Sequence, residues 1–352
     1  MDGAAAHSVT TDGAPVYHGG GLAVARDRFP GAPEPWIDLS TGINPVPYPV
    51  DDIPSDAWTR LPEAAAVAAL EHIAAGAYGV DDAAMVAATP GTQALIEHLP
   101  RLVPTSSPAP RVHILGFTYQ EHAHVWRRAG AQVDVVETLE ALSAADIAIV
   151  VNPNNPDGRH VAPERLAMLA VEMGARGGSL IVDQAFADVL PPDAGIEPFM
   201  ADPAVAAGTL VLRSFGKAYG LAGLRLGFLV ADPVRAARTR ALFGPWAVSG
   251  PAITLGGRAL ADRVWLDAAT RRLEADRARL EALLTGAGLA IVGGTPLFVL
   301  ARTADATSLF ERLAHRGILV RPFPARPDWL RFGLPGDAVV WDRLAAALAA
   351  RG

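Results

Sequence analysis

The stretch Arg213-Ser214-Phe215-Gly216-Lys217-Ala218-Tyr219-Gly220-Leu221-Ala222-Gly223-Leu224-Arg225-Leu226-Gly227-Phe228 contains the only lysine of the chain. Each of the other members of the 30 basic residues is an arginine. A guanidinium stays protonated in proteins and is a poor amine nucleophile, whereas a lysine amine in a dry site sheds its proton and condenses with an aldehyde. A bias against lysine codons accounts for the scarcity but not for the survivor's place inside Ser214-Phe215-Gly216-Lys217. The apolar runs Leu210 to Arg213 and Leu226 to Val230 flank the stretch and read as strands, with the glycines between them marking a tight connection.

Upstream, Met85 to Thr89, Arg111 to Leu115, Gln132 to Val136, Ile147 to Val151 and Leu180 to Asp183 also read as strands, alternating with helical patterns. Such alternation predicts an α/β fold with a mostly parallel seven-stranded sheet. Ligands in these folds gather beyond the carboxyl ends of the strands, so the polar residues that follow each apolar run are the ones to inspect. Past Pro245 the pattern becomes one long amphipathic helix, Ala261 to Leu284, and then a compact α+β module. Its elements read as strand Leu297 to Ala301, helix Ala306 to Arg316, strands Ile318 to Arg321 and Leu330 to Phe332, and helix Ala338 to Arg351. The expected division is an extended arm over residues 1–40 that contributes to the small domain and the substrate site, a large domain over 41–245, and a bridging helix with a smaller carboxyl-terminal domain over 246–352.

Four loops supply what a pyridine aldehyde bearing a phosphate needs. Pro90-Gly91-Thr92-Gln93 joins a strand to a helix, so backbone N–H groups and the helix dipole can face a phosphate; plain capping by Thr92 is the alternative. Asn152-Pro153-Asn154-Asn155-Pro156-Asp157-Gly158 is a stiff turn that presents the Asn155 amide as a donor to a ring oxygen, although Asn-Pro pairs also serve turns alone. Asp183 ends a buried strand, where a carboxylate is costly unless it meets a cation such as a protonated pyridine nitrogen; the alternative is a helix cap. The fourth loop carries Lys217 itself.

Taken together, the lysine segment, the asparagine turn and Asp183 resemble, in order and spacing, the class I and II aminotransferase superfamily, which binds pyridoxal 5′-phosphate in fold type I. The resemblance covers residues 35 to 350 and implies a role for each position. Lys217 holds the cofactor as a Schiff base and shuttles protons. Ser214 and Arg225, with the backbone of Gly91, Thr92 and Gln93, bind the cofactor phosphate, a guanidinium being suited to a bidentate grip. Tyr119 stacks on the pyridine ring, His122 bonds Asp183 from behind, and Arg331 grips a substrate carboxylate. Two departures stand out: Asp183 is followed by Gln184 where relatives carry glutamate, and Leu61-Pro62 stands where many carry Tyr-Pro, a tyrosine that reaches the neighbouring subunit's cofactor phosphate.

Three further stretches, Tyr17-His18-Gly19-Gly20-Gly21, Asp38-Leu39-Ser40-Thr41-Gly42-Ile43-Asn44-Pro45 and Leu319-Val320-Arg321-Pro322-Phe323, resemble, within the superfamily, the threonine-phosphate decarboxylases of cobalamin biosynthesis. The resemblance implies a small phosphorylated amino acid as substrate, L-threonine O-3-phosphate, with His18, Gly19, Asn44 and Arg321 around its phosphate and Arg331 on its carboxylate. Glycines let backbone N–H groups approach an anion, and a flexible arm is the other reading of His18-Gly19-Gly20. The rival within the superfamily is an aminotransferase for histidinol phosphate or a related amino acid, because the same cofactor motifs serve both outcomes. A transcription regulator built on this fold would need an added DNA-binding domain, for which too few residues precede the match.

Composition narrows the field further. Zero cysteines exclude disulfides and thiolate metal sites, and no metal is expected. A net charge of −7 with interspersed signs argues against a nucleic-acid partner. The first 30 residues lack a basic start with an apolar core, and no run approaches a membrane span, so a cytoplasmic protein, without a membrane and as a homodimer, is expected.

Overall fold

The computed structural model describes residues 19–103, 105 and 107–349. In chain order the strands are β1 (Ile37–Asp38), β2 (Val86–Thr89), β3 (Arg111–Leu115), β4 (Gln132–Val136), β5 (Ile147–Val151), β6 (Ser179–Asp183), β7 (Thr209–Ser214), β8 (Gly227–Ala231), β9 (Ala290–Thr295), β10 (Phe298–Arg302), β11 (Ile318–Leu319), β12 (Arg321–Pro322) and β13 (Trp329–Gly333). Packing divides the chain into two units: Pro47–Asn155 with Arg159–Ala268, and Met1–Val46 with Pro156–Gly158 and Ala269–Gly352. This division departs from the sequence expectation at both boundaries, because residues 246–268 pack with the larger unit and 41–46 with the smaller.

The larger unit holds a seven-stranded sheet in the order β2-β8-β7-β6-β5-β3-β4. Only β8 runs antiparallel to its neighbours, so the carboxyl ends of β2, β7, β6, β5 and β3 share one edge with the amino end of β8. Every residue of β5, β6 and β8 is buried, as unbroken apolar strands of a sheet covered on both faces must be. The edge strand β4 is exposed or half-buried along its length. Leu95 and Leu99 of helix Thr92–Leu102 and Val125 and Trp126 of helix Gln120–Arg128 pack on Ile114, Ile149, Ile181, Leu212 and Leu229 of the sheet. That layer fixes where both helices begin, and therefore where their first-turn N–H groups point.

The smaller unit holds a four-stranded antiparallel sheet, β12-β13-β10-β9, and the parallel pair β1-β11. The expected α/β class with a smaller α+β unit is what the chain forms, and the local details refine it. Residues 19–40 are not only an extended arm: Leu22–Arg28 is a helix, and Phe29, Trp36, Ile37 and Leu39 are buried, with β1 paired to β11. The long helix expected over Ala261 to Leu284 runs Arg263–Gly286, and a further helix, Gly250–Ala261, precedes it; the two are separated at Asp262, whose carboxylate accepts the Trp265 N–H at 2.9 Å. The run Ile318 to Arg321 splits because its first half pairs with β1 and its second with β13. Finally, β9 is a strand beyond those expected; at Gly293 and Gly294 it passes too close to the Asp157 and Phe298 carbonyls for side chains.

Candidate active site

At the shared sheet edge, helix Thr92–Leu102 starts directly after β2 with Gly91 as its cap residue at φ +87° and no side-chain cap. Four first-turn N–H groups of a helix have no intrahelical acceptor, so this end is electropositive. The Thr92 hydroxyl does not cap; it donates to the Arg213 carbonyl at 3.4 Å. Arg225 lies against Gly91 so closely that a Cβ there would stand 2.5 Å from Nη2 of the guanidinium. Arg225 itself is left-handed, φ 56° and ψ 54°, a conformation that costs a non-glycine residue about 1–3 kcal/mol and is held by its surroundings. Ser214 ends β7 opposite Gly227 of β8, and a Cβ on Gly227 would press on the Thr92 nitrogen at 2.8 Å. Helix N-terminus, hydroxyl and guanidinium thus converge where β2, β8 and β7 meet.

Lys217 sits half-buried on the one-turn helix Phe215–Ala218 that leaves β7, with Nζ 5.9 Å from the Phe186 ring centre. The residues two before and two after it anchor that turn: Phe215 stacks on Tyr219 at 4.5 Å, and Tyr219 stacks on Trp265 at 5.7 Å. Next along the edge, Asp183 is buried at 3% exposure. One of its oxygens accepts the Ala185 N–H at 3.0 Å and the other meets His122 Nε2 at 2.8 Å. Asp183 is therefore not a helix cap; it forms a turn with one oxygen and an imidazole pair with the other. His122 lies in the same helix as buried Glu121, and both are drawn in beneath the loop that carries Tyr119.

In the asparagine turn, Asn152 exchanges two hydrogen bonds with Val161, at 3.0 and 2.8 Å, and Asn154 donates to the Phe117 carbonyl at 3.0 Å. Two of the three amides are thus structural. Asn155, the third, is also buried. Tyr119 donates its hydroxyl to Gln93 Oε1 at 2.9 Å, and Gln93 Nε2 donates to Glu121 at 3.2 Å. This chain of bonds, which sequence reading missed, ties the loop after β3 to the helix start after β2; the signal was the pairing of Gln93 with a buried Glu121.

A second feature escaped the sequence entirely. Arg213, immediately before Ser214, is buried with Glu197 at 3.0 Å and with Asp188, its guanidinium lying 4.4 Å from the Tyr78 ring centre. With its amide turned so that nitrogen faces the acid, Gln184 donates to both oxygens of Glu197 at 2.9 Å. Gln184 in place of an acid is thereby explained, since Asp188 and Glu197 already outnumber the single guanidinium and a third carboxylate would add to the excess. Burial pushes the Glu197 carboxyl above the usual carboxylate range, with Arg213 opposing.

In the smaller unit, Arg321 and Arg331 are cross-strand partners in β12 and β13, and both are buried. Arg331 donates to the Ser40 carbonyl at 2.8 Å and lies 4.9 Å from the Phe298 ring centre; Arg321 lies over Phe323. The buried Asn44 accepts from Arg272 at 2.9 Å and from the Val46 N–H at 3.0 Å, which makes its oxygen a brace for the chain. Gly19 packs against the Ser40 carbonyl, and the Gly20 N–H donates to Ser40 Oγ at 2.7 Å, so that donor is taken within the chain. His18 lies outside the described residues.

The family model for aminotransferase class I and II matches residues 55–348. The chain belongs to that family. Among full-length relatives, this class I and II aminotransferase family member is 47% identical to a threonine-phosphate decarboxylase of Sinorhizobium sp over 96% of this chain and 98% of that one. It is 42% identical to a threonine-phosphate decarboxylase of Pseudomonas aeruginosa, over 95% and 97%. In fold it is similar to the histidinol-phosphate aminotransferase of Sinorhizobium meliloti in complex with pyridoxal 5′-phosphate, with a TM-score of 0.81 at 22% identity over 93% of each chain. The donor set at the sheet edge fits such a cofactor. A glycine that only an unsubstituted Cα can fill faces an arginine at a helix start, a carboxylate is buried at a strand end, and the only lysine stands between them in strand order.

Proposed function

We propose that this protein uses pyridoxal 5′-phosphate to decarboxylate L-threonine O-3-phosphate, giving (R)-1-amino-2-propanol O-2-phosphate for cobalamin biosynthesis. The observation that carries the substrate class is the register pair Arg321 and Arg331, two buried guanidinium groups on one sheet face. Two guanidinium groups on one face suit a substrate that bears both a phosphate and a carboxylate, each of which a guanidinium grips well. The relatives that match nearly the whole chain support the choice of this particular dianion.

In this reading Lys217 would hold the cofactor through its aldehyde, and its amine would return a proton to the substrate Cα. Ser214, Arg225 and the N–H groups of Gly91, Thr92 and Gln93 hold the cofactor phosphate. Asn155 donates to the ring oxygen, Tyr119 flanks the ring, and Asp183, steadied by His122, keeps the ring nitrogen protonated. When bound, the cofactor supplies an electron sink for the pair left behind as carbon dioxide departs. Arg331 holds the carboxylate, while Arg321, Asn44 and the arm residues His18 and Gly19 serve the phosphate. Holding both ends of the substrate fixes the rotation about Cα and so decides which bond breaks.

We further propose a homodimer in the cytoplasm. Among the described residues no helix is long and apolar enough to cross a membrane, and Trp58 and Leu61 expose 66% and 65% of their surfaces, apolar area that suits a second copy. Sedimentation of the holoenzyme reads the dimer directly. The reaction is tested by release of carbon dioxide from threonine phosphate with no keto acid added. Turnover that depends on 2-oxoglutarate assigns the chain to the aminotransferase rival. Lys217→Arg removes the visible absorbance of the bound cofactor and lowers turnover by at least ~10³-fold, since a guanidinium cannot take the place of the amine.

A further inference from the structure

Three separate stretches of the smaller unit meet at Ser40, which is wholly buried. Its N–H and its hydroxyl both donate to Asp38 Oδ1, at 2.8 and 2.5 Å. With the hydroxyl proton committed to Asp38, Oγ accepts the N–H of Gly20 at 2.7 Å. The Ser40 carbonyl accepts from Arg331 at 2.8 Å. Gly19 crosses the same carbonyl so tightly that a Cβ would stand 2.5 Å from the oxygen.

The neighbours of Ser40 fix it between the strands that carry both arginines. On one side the Leu39 N–H donates to the Leu319 carbonyl at 2.8 Å, extending the pairing of β1 with β11, and Arg321 follows two residues later. On the other side the Leu39 carbonyl accepts the N–H of Gly333 at 2.7 Å, two residues beyond Arg331. A serine that merely filled the core would need one satisfied hydroxyl. Here the hydroxyl addresses the glycine arm and the carbonyl addresses the carboxylate-binding arginine.

We infer that Ser40, oriented by Asp38, is the positioning residue that sets the Gly19-Gly20 arm against Arg331, and so determines specificity for an amino acid that carries a second anionic group. The inference rests on the substrate reading given above. Because Ser40 acts through the arm and Arg331, it affects how substrate is held and not how the cofactor is bound.

The test compares the wild-type holoenzyme with Ser40→Ala on two ligands: threonine phosphate by steady-state kinetics, and L-threonine, which lacks the phosphate, by titration of the cofactor's visible absorbance. Ser40→Ala is expected to raise KM for threonine phosphate about tenfold, the value of one hydrogen bond, with kcat changed by less than about twofold. The L-threonine dissociation constant and the cofactor spectrum stay unchanged. Ser40→Thr, which keeps the hydroxyl, restores KM. Asp38→Asn, which weakens the hold on the Ser40 hydroxyl, gives the same selective rise in smaller measure and stands in if Ser40→Ala does not fold. Equal weakening towards both ligands, or no change in KM in either variant, overturns the inference while the decarboxylase reading survives. Wild-type enzyme inert towards threonine phosphate removes the reading first, and the inference with it.

Discussion

Arg213 and Arg331 are both buried guanidinium groups, one beside the lysine turn and one in the small sheet, and the chain has surrounded them differently. Arg213 lies between the carboxyl groups of Asp188 and Glu197 with its face on Tyr78. Burial pulls this guanidinium towards its neutral form, but the two acids outweigh burial and hold it more firmly protonated than an ordinary arginine. Arg331 meets a main-chain carbonyl and the face of Phe298, and its register partner across the sheet is another arginine. A cation matched by acids from its own chain is scaffold, and its charge is spent on folding. In the proposed function the charge of Arg331 serves an incoming carboxylate.

The largest effect that separates the two falls on stability. Arg213→Met leaves Asp188 and Glu197 buried without their cation and is expected to cost about 3–5 kcal/mol, read from urea denaturation of the holoenzyme. A loss below about 1 kcal/mol, within the range of surface substitutions and weak pairs, breaks the comparison. Arg331→Met is expected to lose less stability than Arg213→Met and to raise KM for threonine phosphate on the order of 10²-fold, because hydrogen bonds to a charged group are worth about 1.5–3 kcal/mol. Its cofactor absorbance should remain. Were Arg331→Met to unfold the protein while Arg213→Met only weakened substrate binding, the two roles would have to be exchanged.

The same contrast explains which parts of the molecule could be read from its sequence. At the sheet edge each chemical group follows its own strand by a few residues, so Asp183, Asn155, Ser214 and Lys217 were found by locating the ends of apolar runs. The strand bounds agree within two residues because unbroken burial writes a continuous apolar run. Contacts that join distant stretches left no such trace. Arg213 finds Asp188 and Glu197 across a loop of 3-10 turns, and Ser40 finds Arg331 across a sequence separation of 291. Neither separation has a period. Arg213 therefore read only as the end of a strand, and Ser40 only as part of a motif. The glycine-rich β9 failed for the opposite reason: close approach of neighbouring backbone demands Gly293 and Gly294, and glycine otherwise signals a turn.

The smallest effect sharpens the account of Arg213 itself, since two acids face one guanidinium and Gln184 adds donors to only one of them. Burial raises the Glu197 carboxyl above its ordinary value against the opposing pull of Arg213. The folded state therefore keeps this proton to higher pH than the unfolded chain does. Stability from that proton is complete below the unfolded carboxyl's pKa of about 4.3 and is lost as pH rises through the higher folded value. Glu197→Gln lacks this titration while retaining an oxygen for Gln184 and Arg213. Thermal unfolding followed upward from about pH 4 should show the variant gaining on the wild type as pH rises, then running parallel to it. Asp188 is in that case the lasting counter-charge of Arg213, one anion to one cation, and Glu197 serves mainly as an acceptor. A variant that instead loses ground as pH rises would place a second full charge on Glu197, and the arginine beside the lysine turn would be held by two anions.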